Sequence, residues 1–138
     1  MKKLLVSTLL LASSMGMAQS NMATDAAQAA ADTVKIREVS YSCRQGGNLV
    51  VTYGFNAQRL PTYAEAFLGG KTRFMPINLN LSSVAGTTFG ESEDNWRLDA
   101  DYMELNNYHK IYLATVQDPA NEITHKDCRV VKTRKIKG

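Results

Sequence analysis

The stretch LVVTYGFN, residues 49–56, decides the fold. Every second residue in it is large and apolar: Leu49, Val51, Tyr53 and Phe55. Successive side chains of a strand point to opposite faces of a sheet, so this alternation predicts a β-strand with one buried face. No stretch of the chain carries the 3.6-residue apolar period over a length that would predict a large helix.

Turn-forming residues separate this strand from its neighbours. Gly46-Gly47 precedes it, and Gly69-Gly70 and Asn106-Asn107 predict two-residue hairpin turns, because glycine and asparagine tolerate positive φ. Another turn is predicted at residues 118–121. The sequence therefore predicts about eight strands: one from near Val34 to near Cys43, then residues 49–56, 63–68, 71–77, 87–90, 96–105, 108–114 and 122–128.

Successive hairpins imply an all-β, up-and-down antiparallel arrangement. Closing such a sheet into a small barrel removes its exposed edges, and eight strands leave an interior that side chains can fill. The two cysteines, Cys43 and Cys128, lie on the first and last predicted strands. An even cysteine count in a small exported domain predicts a disulfide across the barrel seam, with two unpaired buried cysteines as the alternative.

An export signal is predicted at residues 1–18. Lys2 and Lys3 precede an apolar run, Leu4–Ala12, and small residues end the segment at Ala18. The run is shorter than the roughly 20 residues that span a bilayer, and no cysteine follows at once to carry a lipid anchor. We therefore expect a periplasmic or outer-membrane-surface location without lipid anchoring. Residues 19–33 are expected to form a flexible leader, or else a short helix, before the barrel domain at 34–128.

Charge is divided unevenly along the chain. Residues 19–125 carry eight basic and twelve acidic residues, whereas residues 129–138 form a basic tail. The acidic side chains are densest over residues 91–104, where six of them surround the single cation Arg97. This stretch is interpreted as a solvated hairpin, a calcium loop or a patch that steers a basic partner. The tail is either solvated or bound to an anionic outer-membrane surface, and it lacks the aromatic residues that nucleic-acid binding would favour.

The sequence shows no catalytic constellation. His109 and His125 are its two histidines, and both are predicted to be exposed structural residues on strands. Nucleophile-elbow, phosphate-loop, dinucleotide and zinc motifs are absent from the sequence. We therefore expect a protein that is not an enzyme and that needs no cofactor or metal ion.

Several short motifs nevertheless resemble a known family, the adhesin complex proteins of pathogenic Gram-negative bacteria. The motifs occur in order from Tyr41 to Cys128, and the resemblance is weakest over residues 91–121 and after Cys128. They are Tyr41-x-Cys43-x-Gln45-Gly46, Val51–Asn56, Thr62-Tyr63-Ala64, Gly70-Lys71, Met75–Leu79 and Lys126-Asp127-Cys128. That family is similar to the membrane-bound and periplasmic inhibitors of c-type lysozyme.

The resemblance implies an eight-stranded barrel with a disulfide between its ends. It also implies inhibition of host c-type lysozyme, together with adhesion to the host cell surface. The related inhibitors insert a serine and a lysine into the lysozyme cleft; at those positions this chain has Ala85 and Leu98. The resemblance places the lysozyme contact at Ser83, Ala85, Gly86, Thr87, Thr88, Phe89, Trp96 and Arg97.

Because of these two departures, Arg97 is predicted to supply the cation, or else to pair locally with Glu93 or Asp94. Ser83 and Thr87 are the candidate hydroxyl donors. Two other functions stay open at the level of sequence. One is a surface adhesin or structural barrel without inhibitory activity, and the other is a barrel that carries a small apolar ligand.

Overall fold

The computed structural model describes residues 25–91 and 95–138. The predicted signal peptide, the start of the leader (residues 19–24), and Glu93 and Asp94 of the acidic stretch lie outside the described residues. One short helix, α1 (Ala26–Asp32), precedes eight strands. These are β1 (Lys35–Gln45), β2 (Gly47–Phe55), β3 (Pro61–Leu68), β4 (Lys71–Pro76), β5 (Thr87–Gly90), β6 (Arg97–Ala100), β7 (Leu113–Gln117) and β8 (Ile123–Lys137).

The eight strands form one antiparallel sheet in the order β4-β3-β2-β1-β8-β7-β6-β5. The first and last strands are therefore neighbours at the middle of this order. At its two ends, β4 and β5 approach each other through a bridge between Ile77 and Phe89. There the Asn78 amide donates a hydrogen bond to the Thr88 carbonyl at 2.8 Å. The sheet thus curls into a nearly closed barrel, which confirms the predicted all-β architecture.

The predicted disulfide is present and joins directly opposed residues of the central strand pair. Cys43 of β1 faces Cys128 of β8 in the register, and the two are bonded. Cys128 is fully buried. The bridge closes a loop across 85 residues of sequence. Such a closure disfavours the unfolded chain by roughly 4–5 kcal/mol in the chain-entropy description.

Replacing both cysteines should therefore lower stability without abolishing the strand pairing. For Cys43→Ala combined with Cys128→Ala, we expect the free energy of unfolding to fall by about 2–5 kcal/mol. Urea denaturation followed by tryptophan fluorescence measures this change, and the oxidised protein treated with a reductant provides the matched comparison. An unchanged urea midpoint in both experiments would contradict the role given to the bridge.

Large side chains fill the interior of the barrel, the space in which a ligand carrier would hold its ligand. The largest fully buried ones are Tyr41, Tyr53, Phe55, Phe89, Met75, Leu98, Met103 and Leu113. Two of them form a buried polar pair, because the phenol oxygens of Tyr41 and Tyr53 are 2.7 Å apart. The Tyr53 ring also packs on Phe89, with ring centroids 5.6 Å apart.

The tyrosine pair allows a test by single and double substitution. Tyr53→Phe leaves the buried Tyr41 hydroxyl without its partner, which should cost about 1–3 kcal/mol of stability. Replacing both tyrosines by phenylalanine removes both polar groups, so the double variant should be more stable than the single one. Chemical denaturation of the three proteins measures the difference. A double variant less stable than Tyr53→Phe would contradict this expectation. It would show that the Tyr41 hydroxyl stabilises the fold even without its partner.

The same pair makes stability depend on alkaline pH. Burial raises the pKa of the Tyr41 phenol and that of the Tyr53 phenol well above their usual value. An unfolded phenol loses its proton near pH 10, whereas the buried phenols hold theirs, so their contribution is complete below about pH 10 and declines above it. We expect the urea midpoint to fall between about pH 9 and 11, and to fall less in the double phenylalanine variant. Tyr112→Phe, at an exposed tyrosine, is the control that should leave the slope unchanged.

The turns agree with the sequence in most places. Gly69 and Gly70 join β3 to β4 with φ values of 59° and 88°, and Asn121 turns the chain before β8 with a φ of 65°. The predicted hairpin at Asn106-Asn107 was wrong. The strands there are shorter, and residues 101–112 form a loop in which the Asn107 side chain accepts a hydrogen bond from the Glu104 amide at 2.7 Å.

Both ends of the described chain form regular structure, the N-terminal end as the short helix that was the alternative to a flexible leader. Residues 26–32 form α1, whose first turn is capped by the Asp25 carboxylate accepting from the Gln28 amide at 2.7 Å. The last strand does not end at Cys128, since β8 continues to Lys137 by pairing with β1. The basic segment is thus part of the sheet. His109 is exposed as predicted, but His125 is half-buried against Gly46.

Candidate functional site

The segment from Leu79 to Gly86, here called the 79–86 loop, connects β4 to β5 at the barrel seam. Asn78 anchors it, because its side-chain amide donates to the Gly90 carbonyl at 3.0 Å and its own carbonyl accepts from the Ser82 hydroxyl at 2.7 Å. The Ser82 hydroxyl also accepts from the Thr88 amide at 3.0 Å. The loop is therefore fixed at its base by buried or half-buried hydrogen bonds.

The tip of the loop is a tight turn that projects into solvent. The Ser83 amide donates to the Gly86 carbonyl at 2.9 Å, and the Gly86 amide donates back to Ser83 at 3.2 Å. Between them lie Val84 and Ala85, and the Val84 side chain is 90% exposed. The Ser83 hydroxyl accepts from the Ala85 amide at 3.1 Å. The turn thus presents an apolar side chain and a hydroxyl on a narrow, well-ordered projection.

An apolar groove of about 310 Å³ lies beside this tip. Four of its lining residues are exposed large apolar side chains: Leu60, Leu79, Val84 and Tyr102. Leu81, in the same loop, is also exposed. Single exposed apolar residues are ordinary, but a contiguous group that borders a groove is typical of a binding surface. The groove and the tip together form the candidate partner-binding site.

The residues predicted for the lysozyme contact are divided between this tip and the interior. Ser83, Ala85 and Gly86 lie at the tip. Thr87 and Thr88 are buried, and their hydroxyls are already bonded. The Thr87 hydroxyl accepts from the Met103 amide at 3.0 Å, and the Thr88 hydroxyl donates to the Asp99 carboxylate at 2.5 Å.

Phe89, Trp96 and Leu98 are also buried. Trp96 packs against Gly69 at the β3–β4 turn, and the Arg73 guanidinium lies 5.4 Å from its ring centroid. Leu98, which the resemblance aligns with the lysine of the lysozyme inhibitors, is a fully buried core residue of β6. Its side chain therefore points into the barrel.

Arg97 is engaged with two acids on its own hairpin. Its guanidinium donates to Asp99 at 2.8 Å and to Glu91 at 2.9 Å. The hydrogen bond with Asp99 is the largest cause of the raised pKa of Arg97. Arg97 is thus paired locally with Glu91 and Asp99, while Glu93 and Asp94, the partners predicted for it, lie outside the described residues.

Among the described acids of residues 91–104, Glu91 is separated from Asp101 and Glu104 by the length of the β5–β6 hairpin. β5 and β6 pair with Thr87 opposite Ala100 at one end and Gly90 opposite Arg97 at the other. Asp101 and Glu104 follow the end next to the 79–86 loop, whereas Glu91 lies at the far end. The two ends of a four-residue hairpin are about 10 Å apart. Of the described acids in the stretch, Asp101 and Glu104 are therefore closer to the loop than Glu91, and Asp101 lines a groove with Arg44, Asp127 and Arg129.

Two substitutions distinguish a residue that supports the fold from a residue of the exposed tip. Thr87→Val leaves the buried Met103 amide without an acceptor and should lower the free energy of unfolding by about 1–3 kcal/mol. Ser83→Ala removes an exposed hydroxyl, so its effect should stay within about 0.5 kcal/mol. Urea denaturation of both variants tests this contrast. Equal losses would mean that Ser83 supports the fold and is not free to contact a partner.

Sequence reasoning missed the apolar members of the site. It found the serine and glycine of the turn through the resemblance, but not Val84, Leu79, Leu60 or Tyr102. One signal was available, since NLNLSSV, residues 78–84, keeps three large apolar residues in a segment with turn-forming composition. Apolar residues without a predicted strand to bury them are candidates for a contact surface.

Comparisons with known proteins agree with this architecture. The chain is a small antiparallel β-barrel domain tied by one disulfide between its first and last strands. The family model described as an ACP-like domain matches residues 37–130, so the chain belongs to that family. Among solved structures, the chain is similar to the Adhesin Complex Protein from Neisseria meningitidis. The two are 40% identical with a TM-score of 0.62, over 68% of this chain and 98% of that one.

A search of curated proteins gave no match. Within residues 25–91 and 95–138, no helix is long and apolar enough to cross a membrane. The same part of the chain has no group of three histidine, cysteine or acidic side chains placed to hold a metal ion.

Proposed function

We propose that this chain is an exported bacterial surface protein that acts by binding, as an adhesin and as an inhibitor of host c-type lysozyme. The observation that carries the proposal is the 79–86 loop, an anchored projection whose tip residue Val84 is 90% exposed. Membership of the ACP-like family and similarity to a protein named as an adhesin support the adhesive part.

The shape of the tip suits insertion into an enzyme cleft. Lysozyme cleaves glycan with two carboxyl groups in a cleft, and an inserted segment that occupies this cleft excludes the substrate. The Ser83 hydroxyl can donate a hydrogen bond to such a carboxylate, and hydrogen bonds to charged groups are stronger than neutral ones. Val84 would then be desolvated at the centre of the contact, where interface residues contribute most.

Pre-organisation of the loop favours a tight complex. The reciprocal Ser83–Gly86 hydrogen bonds and the Asn78 anchor hold the tip before a partner arrives. Less conformational entropy is lost on binding when the binding segment is already ordered. Asp101 and Glu104, in the loop that follows β6, would attract a basic enzyme, and c-type lysozymes are generally basic.

Arg97 has a smaller part in this proposal than the sequence predicted. Its guanidinium would have to give up Glu91 or Asp99 to reach a carboxylate of lysozyme. We therefore expect Arg97→Ala to weaken inhibition less than a change at Val84. Thr87, Thr88, Phe89 and Trp96 act in the proposal as the scaffold that fixes the tip.

The decisive experiment measures lysis of bacterial cell walls by turbidity while the purified protein is titrated against a c-type lysozyme. We expect inhibition that saturates near one protein per enzyme. Val84→Asp should raise the concentration needed for half-inhibition by at least about ten-fold, since it places an uncompensated charge at the centre of the contact. Phe67→Asp is the matched control, because Phe67 is 68% exposed on β3 away from the loop and should leave inhibition unchanged.

Undiminished lysis at a large excess of the wild-type protein would refute the inhibitory part. The adhesin without lysozyme inhibition would then be the remaining candidate. Binding of labelled protein to host epithelial cells distinguishes the two, because adhesion through another surface should survive Val84→Asp. Loss of both activities in this variant would indicate one shared surface.

Electrostatic attraction predicts a dependence on salt. If Asp101 and Glu104 steer the enzyme, the association rate should fall as ionic strength rises, because exposed charges are screened within about 8–10 Å at physiological salt. The variant Asp101→Asn with Glu104→Gln should associate more slowly than the wild type at low salt, with a weaker salt dependence. Surface plasmon resonance at several salt concentrations measures both. If the association rates of the wild type and the variant depend equally on salt, these two residues do not steer the enzyme.

A further inference from the structure

The part of β8 beyond Cys128 carries a row of cations on one face. Its register with β1 pairs Arg129 with Ser42, Lys132 with Ser40, Arg134 with Glu38 and Lys137 with Ile36. These β1 residues alternate with Arg37, Val39 and Tyr41, which are buried. Cross-strand partners share a face of a sheet, so the four cations all lie on the outer face of the barrel. We call them the cationic stripe.

Two bulges produce this alignment. The stripe residues are spaced by three, two and three positions in sequence, which would place them on different faces of a regular strand. The register shifts by one residue at Val131 and again at Ile136. Because of each shift, the cation that follows the bulge lies on the same outer face as the cation before it. The two bulged residues are themselves exposed, by 59% and 45%.

Positive charge predominates along the stripe, although Arg129 lines a groove together with Asp101 and Asp127. Residues 129–137 contain five basic and no acidic residues. Among the described residues, Glu38 is the one acid that forms an ion pair with the stripe, to Arg134 at 3.1 and 3.2 Å. The row of cations is about 20 Å long at the usual rise of a strand. It therefore forms an extended positive surface with apolar side chains among the charges.

We propose that the cationic stripe docks the protein on a bilayer surface that carries anionic lipid headgroups. Peripheral attachment to such a surface uses basic side chains for the headgroups together with apolar side chains that enter the interface. Val131 and Ile136 supply the apolar component beside the cations. A nucleic-acid strand is a poorer occupant, because residues 129–138 offer no aromatic side chain on which a base could stack.

The stripe lies on a different side of the barrel from the 79–86 loop. In the barrel order, β8 and β1 lie opposite the β4–β5 seam that carries the 79–86 loop. A protein held on a bilayer through the stripe would therefore present the loop tip away from the lipid. Docking on lipid through the stripe does not require lysozyme inhibition, and different experiments can refute the two functions.

The test is co-sedimentation of the protein, purified as the cell exports it, with lipid vesicles. We expect binding to phosphatidylcholine vesicles that contain roughly one-third phosphatidylglycerol, and none to pure phosphatidylcholine vesicles. Lys132→Glu with Lys137→Glu should weaken binding by at least about ten-fold, since each basic residue near an anionic surface contributes roughly five-fold. Lys71→Glu with Lys110→Glu changes the net charge equally outside the stripe and should have a much smaller effect.

Equal losses in the two double variants would overturn the proposal, because they would show a dependence on net charge alone. Absence of binding to anionic vesicles would also overturn it, and the lysines would then serve only to discourage edge-to-edge strand pairing. Retention on a sulfated polysaccharide without vesicle binding would assign the stripe to a different anionic partner. Thermal melting of each variant verifies that the barrel is intact.

Discussion

The pairing of β1 with β8 is the constraint on which the rest of the structure depends. It joins the two ends of the barrel sequence at the centre of the sheet, and the Cys43–Cys128 bridge fixes its register. With these two strands aligned, the hairpins β1–β4 and β5–β8 extend around the core from opposite sides until they meet at Ile77 and Phe89. The position of the 79–86 loop at that meeting point follows from a pairing on the far side of the barrel.

Some polar groups of the candidate site already have hydrogen-bond partners within the protein, and others are free to contact a partner. This difference divides the site into a scaffold and a contact surface. The hydroxyls of Thr87 and Thr88 and the guanidinium of Arg97 all have partners inside the molecule. They stabilise the hairpin, and a partner could use them only by breaking existing bonds. Val84 and the Ser83 hydroxyl project beyond that framework. A site of this kind combines a rigid base with a small exposed tip, and specificity then depends on very few side chains.

Local sequence signals predicted the elements of this fold well, because strand alternation and glycine turns act over a few residues. The disulfide and the adjacency of first and last strands followed from only two cysteines and the closure of a barrel. Other features depend on long-range register, which alternation alone does not encode. The outer alignment of Arg129 and Lys132 needs a bulge at Val131, and the burial of Leu98 needs β6 to pair in one register. The exposed loop was missed because its apolar residues lie outside any strand.

The β1–β8 pairing also sets the order in which the barrel can fold. Hairpins such as β1–β2 join residues close in sequence and can form as soon as both strands are available. The free edge of β1, by contrast, must wait for a strand that follows about 85 residues later. A chain delivered from its N-terminus therefore cannot complete its core until nearly all of it has emerged. Until then β1 presents an unpaired edge that could pair with another chain. Pairing of β8 with β1 therefore both completes the barrel and protects it against aggregation.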